Sequence, residues 1–275
     1  MWRNRRATPG KGAAVLDKPA HTKLFYSSLI LIECLIWGVG NPLTKVGLVS
    51  FTPFLSYTIR FTLAFLIFLL VFRKKAFLGV TTKNLPHYML IGVFSGAAFL
   101  FSVLALQYTT AIIAGFLLSL SVLVTPVFSL LLLKQKIDIR LLPALLIVAA
   151  GMYFLCGSGG SFVFGLGELF AVLSSAALAL ALTLSSKYIQ DISPAALSTV
   201  LTAVAAVMSA VLTLLFEDYR AISGVSPTGW GVILYLSIGC TVVAYLLQNT
   251  ALRHVSAITV SFAFCSEPIF TAAAA

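Results

Sequence analysis

The feature that most constrains this chain is a series of apolar blocks of about 20 residues, the length that an α-helix needs to cross a bilayer. The blocks follow one another from about residue 24 to residue 275, and 60% of the residues are hydrophobic while only 9% are charged. A soluble domain carries about a quarter charged residues. The pattern therefore predicts an all-α polytopic membrane protein and excludes a soluble enzyme, a disulfide scaffold and a disordered chain.

We predict nine membrane spans. Prolines lie at or just before four span starts, where a missing backbone N–H costs nothing: Pro53, Pro86, Pro194 and Pro227. The segment 1–23 is interpreted as a retained cytoplasmic basic tail, because the apolar stretch after it is too long for a signal peptide and no A-x-A site follows. The predicted spans cover residues 24–46, 53–72, 87–106, 111–133, 141–157, 166–187, 194–216, 229–250 and 256–275.

The basic residues are distributed unevenly between the two sides of the membrane. If successive spans alternate in direction, 15 of the 18 Lys and Arg lie on the side of the N-terminus, whereas only Lys45 and Arg220 lie on the other. The positive-inside rule then predicts a multi-pass protein of the cell (inner or plasma) membrane with a cytoplasmic N-terminus. The net charge of +10 is thus a topology signal. No soluble segment interleaves basic and aromatic residues, so we expect a lipid bilayer and no nucleic acid as partner.

Two short segments of the chain resemble each other at a separation of five spans. They are 105–111 (A-L-Q-Y-T-T-A) and 251–257 (A-L-R-H-V-S-A), and each precedes a span that carries a Pro-x-Phe triplet, at Pro126 and at Pro268. Because five is odd, the second copy crosses the membrane in the opposite direction. This is the inverted-repeat plan of secondary transporters.

Five motifs resemble those of the drug/metabolite transporter (DMT) superfamily, specifically the EamA-type permeases, over nearly the whole chain from about residue 28. The turn at 105–111 is similar to the family's A-L-x-Y-T-x-A and is the most specific match. The other four are Trp37-Gly38 with Lys45 (W-G-x(6)-K), Pro53 with Arg60 and Ala64 (P…R…A), Gly167-Glu168 at the start of the sixth helix, and Glu267-Pro268 in the ninth. At Lys134-Gln135-Lys136 the chain departs from the family, which commonly has an acidic residue there.

The resemblance implies two inverted repeats of five transmembrane helices, residues 24–157 (spans 1–5) and 166–275 (spans 6–9). The family has ten helices, so we expect this sequence to be a fragment from which the tenth is missing. It also implies a secondary-active permease that moves a small organic solute (an amino acid, a metabolite or a drug-like compound) by alternating access, as export coupled to a proton gradient. Expected partners are the solute and protons, with a homodimer as a further possibility. The alternative is a non-transporting membrane receptor or structural bundle.

Six residues are candidates for the substrate or ion pathway: Glu33, Trp37, Asn41, Arg60, Glu267 and Pro268. An ionisable group in the middle of a membrane helix costs about 2.5–3.5 kcal/mol on insertion scales, so it usually faces a cavity. Glu33 lies one turn before Trp37 on the same helix face. It fits a proton carrier, and the alternative is a neutral side chain or a partner of Arg60 that fixes packing.

The other candidates each have two interpretations. Arg60 is a binding site for an anionic group of the substrate, or the partner of Glu33 or Glu267 in a structural salt bridge. Glu267 stands before Pro268, which frees a backbone carbonyl one turn earlier, and a broken helix beside a carboxylate suits a cation or a proton. Trp37 stacks on the substrate or anchors the helix at the interface. Asn41, followed by Pro42, opens the helix at the cavity or marks a tolerated kink.

An intramembrane enzyme is the least favoured class, because its chemistry needs His, Asp, Ser or metal ligands gathered at one depth. The three histidines (His21, His87 and His254) are scattered, and the four cysteines fall in different spans without metal-binding spacing. No nucleophile-elbow, metalloprotease or phosphate-loop motif is present. We therefore expect no enzymatic activity, no cofactor and no metal.

The charge asymmetry predicts the result of a labelling experiment. In a background free of native cysteines, a cysteine placed in the loop 157–165 should react with a membrane-impermeant thiol reagent added to intact cells. A cysteine at Lys74 should react only after the membrane is opened. The reverse pattern would contradict both the orientation and the inverted-repeat interpretation.

Overall fold

The computed structural model describes residues 20–135 and 164–275, together with the single positions Leu146 and Ala150. Within these ranges the regular structure is helical, which confirms the predicted all-α class. The α-helices are α1 (Ala20–Gly47), α2 (Pro53–Phe72), α3 (Leu85–Tyr108), α4 (Ala111–Leu118), α5 (Ser121–Leu133), α6 (Leu166–Tyr188), α7 (Pro194–Phe216), α8 (Pro227–Ser237), α9 (Ala244–Leu252), α10 (Ala257–Ala263) and α11 (Glu267–Ala274).

Eight stretches in the described ranges are long and apolar enough to cross a membrane. They coincide with eight of the nine predicted spans to within a few residues at each end. The predicted span 141–157 lies outside the described residues, as does the predicted tail up to residue 19. Pro53, Pro194 and Pro227 are the first residues of their helices, as their missing N–H groups favour.

Two spans are each divided by a short turn near the middle of the bundle. The first consists of α4 and α5, which are separated by Ser119 and Leu120, and the second consists of α10 and α11, which are separated by the 3-10 turn Phe264–Ser266. The interruptions meet, since the Ser119 hydroxyl donates to the carbonyl oxygens of Gly115 (3.0 Å) and Phe264 (3.4 Å). By contrast, α1 continues through Pro42 without opening.

Short connections make consecutive spans cross in opposite directions, which gives the bundle two distinct ends. At the Lys45 end, α1 and α3 finish and α2, α6 and α8 begin; at the Tyr26 end, α1, α3, α7 and α10 begin. The Tyr26 end is filled by apolar side chains with an exposed fraction of 1% or less, including Ile30, Ile91, Leu197, Leu201 and Leu252. The helices are therefore closely packed at this end.

A carboxylate at the Lys45 end fixes the start of α2. Glu217, which follows α7, accepts hydrogen bonds from the Thr52 hydroxyl (2.6 Å) and from the backbone N–H groups of Phe54 (3.0 Å) and Leu55 (2.8 Å). A negative charge at a helix N-terminus also complements the helix dipole. One turn further along α2, the hydroxyls of Thr58 and Thr213 are 2.9 Å apart. These bonds hold α2, and with it Arg60, against α7.

Glycine allows α1 to approach α11 closely. A Cβ atom added to Gly38 would overlap with Cβ of Phe270. It would also lie only 3.0 Å from the backbone nitrogen of Thr271 and 3.1 Å from the carbonyl oxygen of Glu267. Small residues at helix crossings have this role in membrane bundles. The contact places α11, with Glu267, directly against the middle of α1.

Gly38→Ala should therefore force α1 and α11 apart and lower the free energy of unfolding by about 1–3 kcal/mol, as overpacking does. Gly231→Ala is the matched control, because Gly231 is an exposed helical position with no atom within 4 Å of the added methyl group. It should leave stability unchanged or raise it by up to about 1 kcal/mol. Thermal unfolding of the purified variants in detergent measures both. Equal stability of the two variants would contradict the close approach.

Candidate functional site

A pocket lies between the helices in the half of the bundle nearer the Lys45 end. Seven of the spans contribute to its wall, which includes both polar and aromatic side chains. The residues that the site argument uses are Trp37, Asn41 and Thr44 of α1, Tyr57 and Arg60 of α2, Phe99 and Ser102 of α3, Ser174 of α6, Cys240 between α8 and α9, and Glu267 of α11.

Arg60 provides the positive charge of the pocket. Its Nε donates to the Thr241 hydroxyl (2.8 Å), and its Nη2 donates to the carbonyl oxygen of Cys240 (3.2 Å). The guanidinium carbon lies 5.0–5.4 Å from the ring centres of Tyr57, Phe61 and Phe99. Cation–π contacts of this kind stabilise a desolvated cation by about 2 kcal/mol. Within the described residues, then, neutral groups satisfy Arg60, rather than Glu33 or Glu267.

Glu267 provides the negative charge of the pocket. Its Oε1 accepts a hydrogen bond from Nδ2 of Asn41 (2.9 Å), and the same Nδ2 donates to the Thr271 hydroxyl (3.2 Å). Glu267 is the first residue of α11, directly after the 3-10 turn, and Pro268 is the second. The carboxylate therefore stands at the N-terminus of a half-helix, where the helix dipole favours negative charge.

Trp37 closes the pocket on the side of the Tyr26 end. Its indole N–H donates to the carbonyl oxygen of Cys240 (2.8 Å), the atom that also accepts from Arg60. Its ring packs against Phe99 and Phe264, with ring centres 5.7 Å and 5.3 Å away. The indole is thus fixed at one edge, and its remaining surface contributes to the wall.

Glu33 lies outside the pocket wall, one helical turn from Trp37 toward the Tyr26 end. It is fully buried, and neither carboxyl oxygen has a hydrogen-bond partner. Glu33 precedes Cys34, whose thiol donates to the carbonyl oxygen of Ala263 (3.3 Å), in the same interrupted span as Glu267. A buried polar group without a partner is costly and points to a role other than packing.

The structure thus brings together four of the six sequence candidates, Trp37, Asn41, Arg60 and Glu267, on one pocket wall. Pro268 follows Glu267 along the chain and starts α11, and Glu33 lies apart from the wall.

Sequence reasoning missed the aromatic and hydroxyl part of the pocket. Tyr57 and Phe99 look like ordinary core residues in an apolar span, and only the three-residue spacing of Tyr57 from Arg60 gives a signal. Ser102 and Ser174 are small polar residues in apolar helices, which is common in membrane bundles. Among the described residues, no group of three or more His, Cys, Asp or Glu side chains could hold a metal ion.

Three of the sequence motifs meet in one corner at the Lys45 end, through Lys45, Thr109 and Glu168. Lys45 Nζ donates to the backbone carbonyls of Leu106 (3.2 Å) and Thr109, where α3 ends. The Thr109 hydroxyl donates to Glu168 Oε1 (2.6 Å), and Glu168 Oε2 accepts from the backbone N–H of Gly165 (3.0 Å). The corner joins α1, the turn after α3 and the start of α6, so these motifs are structural in this conformation.

Comparisons with known proteins identify the family of the chain. A model of the EamA-like transporter family matches residues 24–157 and 165–275. A protein of Archaeoglobus fulgidus named as an uncharacterized transporter is 34% identical over 148 residues, which cover 54% of this chain but only 44% of that protein. The chain thus spans less than half the length of this relative.

Two further relatives match along most of their length. The uncharacterized transporter YyaM of Bacillus subtilis is 23% identical, with 85% of this chain and 79% of that protein covered. A second uncharacterized transporter of Archaeoglobus fulgidus is 26% identical, with 89% and 86% covered. A crystal structure shares the fold with a TM-score of 0.70 at 18% identity, covering 90% of this chain and 88% of the other.

The two family-model matches include all eight spans of the described residues and every residue of the pocket wall. The chain is a multi-pass membrane protein that belongs to the EamA-like transporter family.

Proposed function

We propose that this protein is a secondary-active permease that exports a small zwitterionic organic solute of the amino-acid class in exchange for protons. The single observation that carries the proposal is the presence of one cationic and one acidic side chain, Arg60 and Glu267, in the wall of the same pocket. The family and the names of the relatives support a transporter without enzymatic activity. Alternating access between two inverted repeats, in a cell membrane with the N-terminus in the cytoplasm, is part of the proposal.

The chemistry of the wall favours a zwitterion. Arg60 offers a planar fork of donors that suits a carboxylate, and Glu267 offers an acceptor that suits an ammonium group. Phe99, Tyr57 and Trp37 provide the apolar surface on which the rest of the solute packs. A solute with only one of the two charges would leave the other pocket charge desolvated and unpaired, which is unfavourable.

Competition at Glu267 supports exchange rather than co-transport. One carboxylate can hold either the ammonium group of the solute or a proton, so the two occupants exclude each other. When the proton concentration is higher outside the cell, an external proton neutralises Glu267 while the pocket faces outward. The loss of the negative charge weakens solute binding in that conformation. The gradient therefore drives the solute outward.

Glu33 supports the proton side of the cycle. A charged carboxyl without any hydrogen-bond donor in a buried setting is very unfavourable, so Glu33 carries a proton in this conformation. Because Cys34, next to Glu33, bonds Ala263 of α10, Glu33 is the next carboxyl group from Glu267 toward the Tyr26 end among the described residues. We propose that the proton moves between these two carboxyl groups as the pocket changes sides.

A ligand-stabilisation screen tests the solute class. We expect one or more of the twenty proteinogenic L-amino acids to raise the thermal stability of the purified protein, by about 2.7 kcal/mol at 100 times the dissociation constant. The corresponding amine, which lacks the carboxylate, and the corresponding carboxylic acid, which lacks the ammonium group, should each stabilise the protein less than the amino acid does. Arg60→Gln should remove the preference for the carboxylate, whereas Arg220→Gln, an exposed position outside the pocket, should not. If no amino acid stabilises the protein, the proposed solute class is wrong.

Glutamine substitutions test the coupling. In proteoliposomes loaded with the amino acid that the screen identifies, Glu267→Gln and Glu33→Gln should abolish transport driven by a pH gradient, since glutamine keeps the volume but holds no exchangeable proton. Solute exchange should continue in Glu33→Gln, whereas it should be weaker in Glu267→Gln, which loses the carboxylate that binds the ammonium group. Glu168→Gln, which changes an acid of the structural corner, should keep its response to the gradient. Full gradient-driven transport in both pocket-side variants would show that neither acid couples to protons.

A further inference from the structure

The regular helix pattern is interrupted between α8 and α9, beside the pocket. Residues Ile238–Val243 form a π-helical segment, in which the Thr241 hydroxyl donates to the carbonyl oxygen of Leu236 (2.9 Å). The backbone N–H of Ala244, which would donate to Cys240 in an α-helix, donates to Gly239 and Thr241 instead. Short π segments of this kind are frequent at functional sites.

Side chains from two other spans hold this segment in its π form. The Cys240 carbonyl, released from the N–H of Ala244, accepts from the Trp37 indole (2.8 Å) and from Nη2 of Arg60 (3.2 Å). Arg60 Nε donates to the Thr241 hydroxyl (2.8 Å). Trp37 and Arg60 thus replace the backbone donor that the segment has lost.

The bonds of Arg60 occupy a particular edge of its guanidinium. Nε and Nη2 form the edge that makes two parallel hydrogen bonds with a carboxylate. In this conformation the Thr241 hydroxyl and the Cys240 carbonyl take the places of the two carboxylate oxygens. An anionic group of a solute that binds this edge must displace both.

We propose that Thr241 is a positioning residue and that the segment Ile238–Val243 is a latch that sets which end of the bundle gives access to the pocket. The proposal rests on the proposed function, because it assigns the release of Arg60 to the anionic group of the transported solute. When Arg60 leaves, the Cys240 carbonyl is free to accept from Ala244 again. The segment then returns to the α pattern and rotates α9 about its axis relative to α8.

The rotation of α9 acts on the Tyr26 end, which is closed in this conformation. The Tyr245 hydroxyl lies 2.6 Å from that of Ser95, and Nδ2 of Asn249 donates to the Ser198 hydroxyl (2.9 Å). These bonds tie α9 to α3 and α7. Rotating α9 breaks both and loosens the packing there, while the straightened segment narrows the pocket side. A single event therefore opens one end and closes the other.

Reciprocal accessibility tests the latch without any solute. With the four native cysteines replaced by alanine, a reporter cysteine is placed either in the pocket wall (Ser102→Cys) or in α9 near the Tyr26 end (Gln248→Cys). The rate of reaction with N-ethylmaleimide is then measured in reconstituted protein. Thr241→Val keeps the shape of the side chain and removes its hydroxyl, so it should release Arg60.

We expect Thr241→Val to slow labelling at the pocket reporter several-fold and to speed labelling at the α9 reporter several-fold, and Thr241→Ser to behave as the parent protein. The matched control is Thr183→Val, because Thr183 is equally buried but bonds only its own helix, at the Ala179 carbonyl (2.8 Å). It should change neither rate. Faster labelling at both reporters, as simple loosening gives, or no change at either, would overturn the latch.

The labelling result is independent of the solute screen. If no amino acid binds but the reciprocal change occurs, the latch stands and the solute class fails. If an amino acid binds through Arg60 but Thr241→Val leaves both rates unchanged, the permease stands and the latch fails.

Discussion

The guanidinium of Arg60 carries a permanent charge inside a bundle whose outer surface faces lipid, and the arrangement of the site follows from how that charge is satisfied. No water-filled exterior is available at this depth, so the donors must find acceptors within the protein. Three aromatic rings surround the charge, and two hydroxyls (of Thr241 and Tyr57) and one carbonyl accept its hydrogen bonds. All of these partners are neutral. Arg60 therefore keeps an attraction for an anionic group that a salt bridge to Glu267 would have cancelled.

The same constraint explains where the helices are irregular. Where the backbone leaves the α-helical pattern inside a membrane, its free N–H and C=O groups need hydrogen bonds from side chains or from a polar cavity. In the described part of the bundle, the break at Ser119, the turn Phe264–Ser266 and the segment Ile238–Val243 all adjoin the pocket, and each has side chains bonded to it. Leu118, Cys240 and Glu267 then carry these irregularities into the pocket wall. Polar lining residues and irregular backbone are thus concentrated in one place.

The sequence predicts the spans well because their signals are local: apolar length, and proline at the first turn. It places Trp37, Asn41, Arg60 and Glu267 among the candidates because polar groups are conspicuous in apolar helices. Aromatic lining residues such as Phe99 carry no comparable signal. The π segment could not be predicted either, because the groups that hold it come from residues 180 and 203 positions away in the chain. These contacts depend on how distant spans pack together, and no local pattern in a single sequence indicates them.

The polar side chains of α1 have a consequence for how the protein is made. Trp37, Cys34 and Asn41 bond to Cys240, Ala263 and Glu267, partners that follow them by 203, 229 and 226 residues. At a synthesis rate of 5–20 residues per second, the first helix waits about 10–45 s before these partners leave the ribosome. During that time the amide of Asn41, the indole N–H of Trp37 and the carboxyl of Glu33 have to be kept away from lipid by the insertion machinery or by neighbouring helices. The polarity that serves the pocket thus makes α1 dependent, during biogenesis, on helices that are synthesised more than 200 residues later.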